Sequence, residues 1–170
     1  MANGVAETRG RVPSRSRTAW VIAALASIVA VDQLTKAWAV NALADGPKHV
    51  IGDFLVFDLA RNSGSAFSRF QGYAPVLAVL AIVIALFIAR SLRQATDRWT
   101  LVGLVLVLGG ALGNLGDRVA RSPGFLRGYV VDFVAVGWWP VFNVADSCIT
   151  VGAVLLIVRT LIAPSAAPAS

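Results

Sequence analysis

The sequence predicts an all-α membrane protein with four transmembrane helices and a small strand region outside the membrane. Hydrophobic residues make up 57% of the 170 residues and charged residues only 14%, and the mean hydropathy is +0.73. A soluble domain of this size has more charge and less apolar surface. Four apolar runs approach the roughly 17 to 25 residues needed to cross about 30 Å of hydrocarbon. The predicted spans are 19–39, 74–89, 101–115 and 141–162.

The remaining segments divide the chain into an arm, a membrane domain and a tail. Residues 1–17 are rich in Gly, Ser, Pro and Arg and are expected to form a disordered basic arm, and residues 163–170 a disordered tail. The spans make one domain, 18–162. Residues 49–59 combine β-branched and aromatic residues in partial alternation, which predicts a strand or hairpin between the first two spans. The aromatic segment 138–140 is expected to open the fourth span as an interfacial anchor.

The distribution of basic residues predicts that both termini are cytoplasmic. Short basic stretches stay in the cytoplasm, and they occur in the arm and after the second span. These stretches contain Arg9, Arg11, Arg15, Arg17, Arg90, Arg93 and Arg98. Both long connections then lie outside, where aspartates balance their basic residues. The net charge of +6 therefore belongs largely to membrane flanks, so anionic phospholipid is the expected partner and nucleic acid is not.

Polar residues recur at helical spacing in three of the spans. Each set places one polar stripe on its helix, near the end predicted to lie outside the cytoplasm. An aspartate at the centre of a membrane helix costs on the order of 2.5 to 3.5 kcal/mol, so retained aspartates are expected to be paired or used. The stripes are Asp32, Thr35 and Lys36 in the first span, Asn114, Asp117 and Arg118 in the third, and Asn143, Asp146, Ser147 and Thr150 in the fourth.

Asp132 and Asp146 are the candidate catalytic pair. If the fourth helix opens at Pro140, Asp146 lies about 9 Å below its start, and Asp132 can fold down from the preceding loop to meet it. Two carboxylates in a shallow, partly dry site do not both ionise readily, so one keeps a proton. Such a pair can activate water for attack on a carbonyl and then protonate the leaving amine. The single histidine and the absence of an HExxH motif exclude a metalloprotease, and no metal or cofactor is expected.

The other two membrane aspartates are interpreted as structural. Lys36, one turn away, and Arg118, across the bundle, can neutralise Asp32, and the adjacent Arg118 can hold Asp117. A small proton-coupled transporter or channel is the alternative function, because it would also line a path with aspartates. It would require polar residues through the inner halves of the spans, which are apolar here. A structural scaffold would have freely replaceable aspartates.

Five motifs occur in order along the chain and together resemble those of the lipoprotein signal peptidase (signal peptidase II) family. Each motif is weak alone, but five in order on a four-span chain are specific, and they cover about residues 18–162. They are Asp32-Gln-Leu-Thr-Lys36, Asn62-Ser-Gly-Ser-Ala-Phe67, Gly113-Asn-Leu-Gly-Asp-Arg118, Val130-Val-Asp-Phe133 and Phe142-Asn-Val-Ala-Asp146.

The resemblance implies an intramembrane aspartic endopeptidase of the bacterial inner membrane. Such an enzyme removes the signal peptide of a prolipoprotein just before the cysteine that carries diacylglycerol, and needs no cofactor. Asp132 and Asp146 match the catalytic pair. The strand region would correspond to the family's small β-cradle and mobile loop at the membrane surface, and segment 119–129 is longer than in shorter members. Positions that match supporting or substrate-binding residues are Asp32, Lys36, Asn62, Gly64, Asn114, Asp117, Arg118 and Asn143.

Overall fold

Four long helices and one small antiparallel sheet make up the part of the chain that the structure describes. The structure, a computed structural model, describes residues 15–64 and 74–162. All four helices are long and apolar enough to cross a membrane, which confirms the predicted number of spans. The helices are α1 (Arg15–Ala42), α2 (Ala74–Gln94), α3 (Arg98–Ala120) and α4 (Val144–Ile162), and the strands are β1 (Lys48–Ile51), β2 (Leu55–Asn62), β3 (Val130–Val136) and β4 (Trp139–Phe142).

Three of the helices extend beyond the apolar runs from which they were predicted. Helix α1 begins at Arg15, so residues 15–17, expected in the arm, are helical. Helix α3 begins after Asp97, whose side chain accepts hydrogen bonds from the first free backbone N–H groups of the helix. The rest of the arm, the tail and segment 65–73 of the expected mobile loop lie outside the described residues.

The sheet joins two connections that are far apart in the sequence. Its strand order is β1-β2-β3-β4, with every pair antiparallel. The strand signal at 49–59 is confirmed, because this segment lies in the β1–β2 hairpin. The sheet also extends beyond the connection between the first two helices, because half of its strands come from residues 130–142. Pairing of β2 with β3 places both connections at the same end of the bundle.

The fourth helix begins later than predicted. Trp139 and Pro140 belong to β4, and Trp138 lies in the turn before it, so these residues do not open the helix. Helix α4 starts at Val144, which places Asp146 in its first turn. The expected depth of about 9 Å below the helix start is therefore wrong.

Small residues let α3 approach both α1 and α4. A Cβ atom on Gly113 would lie 2.7 Å from Asp32 Oδ2 and 3.3 Å from the Cβ of Ala145. One on Gly110 would collide with the carbonyl oxygen of Ala145. Contacts closer than 3 Å are not tolerated in packed interiors, so side chains at these positions would push the helices apart. This close packing brings the polar stripes of three helices within hydrogen-bonding distance.

Candidate active site

Asp132 and Asp146 lie at the sheet end of the helix bundle, on strand β3 and helix α4. Asp132 is in β3, opposite Ala60 of β2, and only 3% of it is exposed. Asp146 is in the first turn of α4 and is partly exposed. The structure thus brings the two candidate catalytic residues together through a strand and a helix start, and not through a folded-down loop.

Asn143, the residue before α4, connects the two aspartates directly. Its side-chain Nδ2 donates to Asp132 Oδ1 at 2.7 Å. Its backbone N–H donates to Asp146 Oδ2 at 3.3 Å, while its Oδ1 accepts from the backbone N–H of Asp146 at 2.9 Å. This reciprocal arrangement is a capping box, in which the residue before a helix and the third helical residue satisfy each other's N–H groups. One helix cap therefore holds both carboxylates in place.

Two further asparagines complete the hydrogen bonds to the pair. Asn62, at the end of β2, donates from Nδ2 to Asp132 Oδ2 at 3.0 Å. Asn114 of α3 donates from Nδ2 to Asp146 Oδ1 at 2.7 Å. Each of the four carboxylate oxygens therefore accepts one N–H donor, an environment that can hold negative charge in a buried site.

Lys36 lies at the centre of a second polar cluster just behind the asparagines. It is completely buried, and its Nζ lies 2.8 Å from Asp32 Oδ2 and 3.0 Å from Asp117 Oδ2. It also donates to Asn114 Oδ1 at 2.9 Å. Asp32 Oδ1 in turn accepts the backbone N–H of Ala145 at 3.0 Å. The cluster thus ties α1 to α3 and to the start of α4.

The partners of Asp117 differ from those expected from the sequence. Its Oδ1 lies 2.7 Å from Nε of Arg121, and its Oδ2 accepts the backbone N–H of Val131 at 3.0 Å. Together with Lys36, these groups hold the carboxylate, whereas no direct ion pair joins it to Arg118 among the described residues. Because Arg121 follows Asp117 by four residues on the same helix face, the spacing alone could have identified it. Gln33, which donates to Asp32 and Asp117, was also missed.

Arg118 forms no ion pair with Asp32 among the described residues, and the charges of Asp132, Asp117 and Asp146 act on it. It is 9% exposed, and its Nη1 is buried without a hydrogen-bond partner among the residues that the structure describes. Gly64 lies beside it, since a Cβ atom at Gly64 would be 3.6 Å from Arg118 Nη2 and 2.5 Å from Leu77 Cδ1. Gly64 also has a φ of 93° and donates its N–H to Asn62 Oδ1 at 2.8 Å. Its positive φ and the lack of space both favour glycine here.

Burial changes the protonation of Asp132. It raises the pKa of Asp132 from 3.8 to about 6, against hydrogen bonds from Asn62 and Asn143 that lower it, and the negative charge of Asp146 raises it further. A carboxyl with a pKa near 6 exchanges its proton close to neutral pH. This property is required of a group that alternates between acid and base.

Asp132 is expected to make the free energy of unfolding depend on pH. The folded-state pKa of about 6 lies above the ordinary value of 3.8, so the stability that Asp132 contributes is present at low pH and is lost as the pH rises through about 6. Between about pH 5 and about pH 8 this loss is about 1 kcal/mol. Unfolding of the parent and of Asp132→Asn in detergent, measured across this range, should show the smaller loss in the variant. Equal pH dependence of the two proteins would contradict the raised pKa.

The arrangement provides acid and base chemistry from carboxylates alone. Asp132 and Asp146 can share a proton and polarise a water molecule placed between them. Among residues 15–64 and 74–162, no group of three or more His, Cys, Asp or Glu side chains is arranged to hold a metal ion.

A cavity with a mainly apolar lining lies at the other end of α3 and α4. It has a volume of about 540 Å³ and is lined by apolar side chains with Arg98, Trp99 and Arg159. Asp97 is the only carboxylate in its lining, and it pairs with Nε of Arg159 at 3.2 Å. Because it lacks a second acid and lies away from the asparagine network, this cavity is not the candidate active site.

Comparison with known sequences identifies relatives over most of the chain. The family model described as "Signal peptidase (SPase) II" matches residues 24–162. The lipoprotein signal peptidase of Mycobacterium avium is 45% identical over 159 residues, which are 93% of this chain and 86% of that protein. The lipoprotein signal peptidase of Rhodococcus jostii is 51% identical over 136 residues, 79% of this chain and 69% of that protein.

Solved structures show the same fold. One bacterial membrane enzyme superimposes with a TM-score of 0.76 at 27% identity and covers 89% of this chain and 94% of its own. Another bacterial membrane enzyme superimposes with a TM-score of 0.72 at 30% identity and covers 85% of this chain and 94% of its own. The chain therefore belongs to the signal peptidase II family of aspartic-type peptidases, a family of multi-pass bacterial membrane hydrolases.

Proposed function

We propose that this enzyme removes the signal peptide from diacylglyceryl-modified prolipoproteins, cutting just before the lipidated cysteine, with Asp132 and Asp146 as the catalytic residues. The observation that carries the proposal is the position of Asn143, which donates to both carboxylates. A hydrogen bond from one residue to both acids keeps them close enough to act on one water molecule. The names of the relatives supply the substrate class, since they are lipoprotein signal peptidases.

The two carboxylates divide the work of hydrolysis between them. The ionised member accepts a proton from water as its oxygen attacks the carbonyl carbon of the scissile bond, and the protonated member donates a hydrogen bond to the carbonyl oxygen. As the tetrahedral intermediate collapses, the departing nitrogen receives a proton from the pair and the peptide bond breaks. The proton is shared, so it belongs to the pair and not to one residue.

Arg118 supplies a positive charge beside the reacting atoms. Its buried Nη1 has no partner among the described residues, and the negative charges of Asp132, Asp117 and Asp146 act on its guanidinium group. A carbonyl oxygen of the substrate backbone would satisfy this donor and place the scissile bond over the pair. Such a fixed donor is worth more in a site that excludes water.

The proposed orientation has both termini in the cytoplasm and the active site near the outer leaflet. It is supported by arginines at the end of the bundle opposite the sheet, in agreement with the preference for basic residues inside. Arg17 connects two of these helix ends by donating to the carbonyls of Leu92 and Ala95. The arginines at this end are Arg15, Arg17, Arg90, Arg93, Arg98 and Arg159. Membrane phospholipid with an anionic headgroup is the lipid partner expected there.

Membership of a peptidase family favours proteolysis over the proton-coupled transporter that the membrane aspartates alone left open. The structure adds a reason. Lys36 holds both buried carboxylates of the spans, Asp32 and Asp117. Within the described residues, no chain of titratable groups continues from these carboxylates toward the opposite end of the bundle.

The test compares two substrates that differ in one lipid. Purified full-length enzyme in phosphatidylglycerol-containing vesicles is given a prolipoprotein with a diacylglyceryl cysteine, and separately the same precursor with Cys→Ser at that position. We expect mass spectrometry to show cleavage of the lipidated precursor only, at the bond before the cysteine. Equal cleavage of both would contradict the lipid requirement, and cleavage of neither would contradict the proposed function. A chelator should leave the rate unchanged, whereas loss that zinc restores would contradict the aspartate mechanism.

A further inference from the structure

We propose that Lys36 is a positioning residue of the reaction, because it fixes which end of the Asn114 carboxamide faces Asp146. This inference rests on the proposed function, in which Asp146 is catalytic. Lys36 is completely buried and therefore cannot touch the substrate. Its effect must pass through Asn114, the side chain that contacts both Lys36 and Asp146.

The chemistry of an ammonium group leaves Asn114 one orientation. A lysine ammonium has three N–H donors and no acceptor. Its three partners here are Asp32 Oδ2 at 2.8 Å, Asp117 Oδ2 at 3.0 Å and Asn114 Oδ1 at 2.9 Å. Lys36 is thus fully satisfied only while the carboxamide oxygen of Asn114 points toward it.

The opposite orientation of Asn114 would be unfavourable at each end. Its NH₂ group would then face the Lys36 ammonium and the Nδ2 of Asn143, which lies 3.1 Å from the present oxygen position. Its oxygen would face the carboxylate of Asp146, where Nδ2 now donates at 2.7 Å. Donors would oppose donors and an acceptor would oppose an acceptor, so Oδ1 of Asp146 would lose its donor.

Asn114 differs from the other two asparagines in what orients it. The oxygen of Asn62 is held by the backbone N–H of Gly64, and that of Asn143 by the backbone N–H of Asp146. A side-chain substitution does not remove a backbone donor. Among the three asparagines that donate to the pair, Asn114 alone has its oxygen held by a side-chain cation. Without Lys36, the donor left to this oxygen in the described residues is Nδ2 of Asn143, at 3.1 Å, which also bonds Asp132 Oδ1 and the carbonyl of Val131. Substitution of Lys36 therefore weakens the hold on the orientation of Asn114.

Removal of Lys36 alone would leave the cluster with one buried negative charge that no cation neutralises. The cluster contains Lys36 and Arg121 as cations and Asp32 and Asp117 as anions, so its formal charge is zero. Asp32→Asn with Lys36→Met keeps the charge at zero and keeps an oxygen for the Ala145 N–H. The single variant Asp32→Asn is the reference, because it loses the same acid and retains Lys36 on Asn114.

The experiment is a double-mutant cycle between Lys36 and Asn114, carried out entirely in the Asp32→Asn background. We expect Lys36→Met to lower kcat by about 10- to 100-fold with KM changed less than about 2-fold, since Lys36 does not contact the substrate. When Asn114→Leu is already present, Lys36→Met should lower kcat no further, because the group through which it acts is gone.

Two outcomes would overturn the inference. The first is an equal fractional loss of kcat with and without Asn114→Leu, which would make Lys36 a general structural residue. The second is a kcat in the Lys36→Met variant equal to that of the reference. Thermal unfolding of every variant separates these results from misfolding. Asp146→Asn in the same assay separates them from failure of the proposed function, which would appear as cleavage at the parent rate.

Discussion

Asp132→Asn and Asp146→Asn, made separately, are each expected to lower the rate of signal-peptide removal by about 10³-fold or more. An asparagine in either position cannot take a proton from water or return one to the leaving amine. The hydrogen bonds from Asn143 would still hold much of the local structure, so the loss would fall on chemistry more than on folding. Gel mobility or mass of a diacylglyceryl precursor, followed over time, measures the rate.

An exposed aspartate outside the network provides the matched control. Asp53, near the β1–β2 turn, has a side chain that is 98% exposed and contacts only His49 among ion-pair partners in the described part of the chain. Asp53→Asn should therefore cleave at the parent rate. Parent-level activity in a stably inserted Asp132→Asn or Asp146→Asn variant would refute the assignment of the catalytic pair.

Arg118→Gln is expected to lower kcat/KM by about 10²-fold, the second largest effect of a single substitution. Glutamine keeps an N–H donor but loses the charge and the length of the guanidinium, so it cannot provide the same donor to the substrate. The neighbouring carboxylates of Asp132 and Asp146 would also lose a compensating cation. Steady-state cleavage of the lipidated precursor measures the effect.

Arg121 is the control for this prediction because it lies less than one turn further along the chain. Its Nε lies 2.7 Å from Asp117 Oδ1, and its side chain is 22% exposed. Arg121→Gln should lower the thermal stability of the protein while kcat/KM stays close to the parent value. If both variants lost the same activity for the same loss of stability, Arg118 would have no special role toward the substrate.

The transmembrane helices were predictable because their length and apolar composition are imposed by the bilayer. Polar stripes at helical spacing also predicted correctly that Lys36 pairs with Asp32. The apolar run that predicted the third span ended at residue 115, and only the helical spacing of Asp117 and Arg118 indicated that α3 continues toward Ala120, because its last turns contain charged residues. Those charges are buried against β3 and α1, and this is visible only when the tertiary contacts are known.

The second half of the sheet was missed for a related reason. Segment 130–136 is almost continuously apolar, and its first residues, including Asp132, are buried in the fold, so it lacks the alternation that marks a half-exposed strand. Beside a predicted membrane span, such an apolar run is easily interpreted as the loop segment that precedes the span. The capping-box spacing of Asn143 and Asp146 was the available signal for the true start of α4.

The candidate site was predictable in composition but not in its connections. The sequence indicated that aspartates and asparagines converge, and the structure places them together. Which cation holds which acid depends on the rotation of each helix and on side-chain length. Arg118 was therefore paired incorrectly, while Arg121 and Gln33 were overlooked.

The long separation between bonded partners has a consequence for how the enzyme is made. Asp32 of α1 receives its hydrogen bond from Ala145 of α4, and Asn62 of β2 donates to Asp132 of β3. A ribosome-bound chain that has inserted its first three helices lacks Asp146 and the cap that holds Asp132. With Asp132 and Asp146 as the proposed catalytic pair, we expect proteolytic activity only once the last helix has entered the membrane, so that an unfinished chain does not cut its neighbours at the site of insertion.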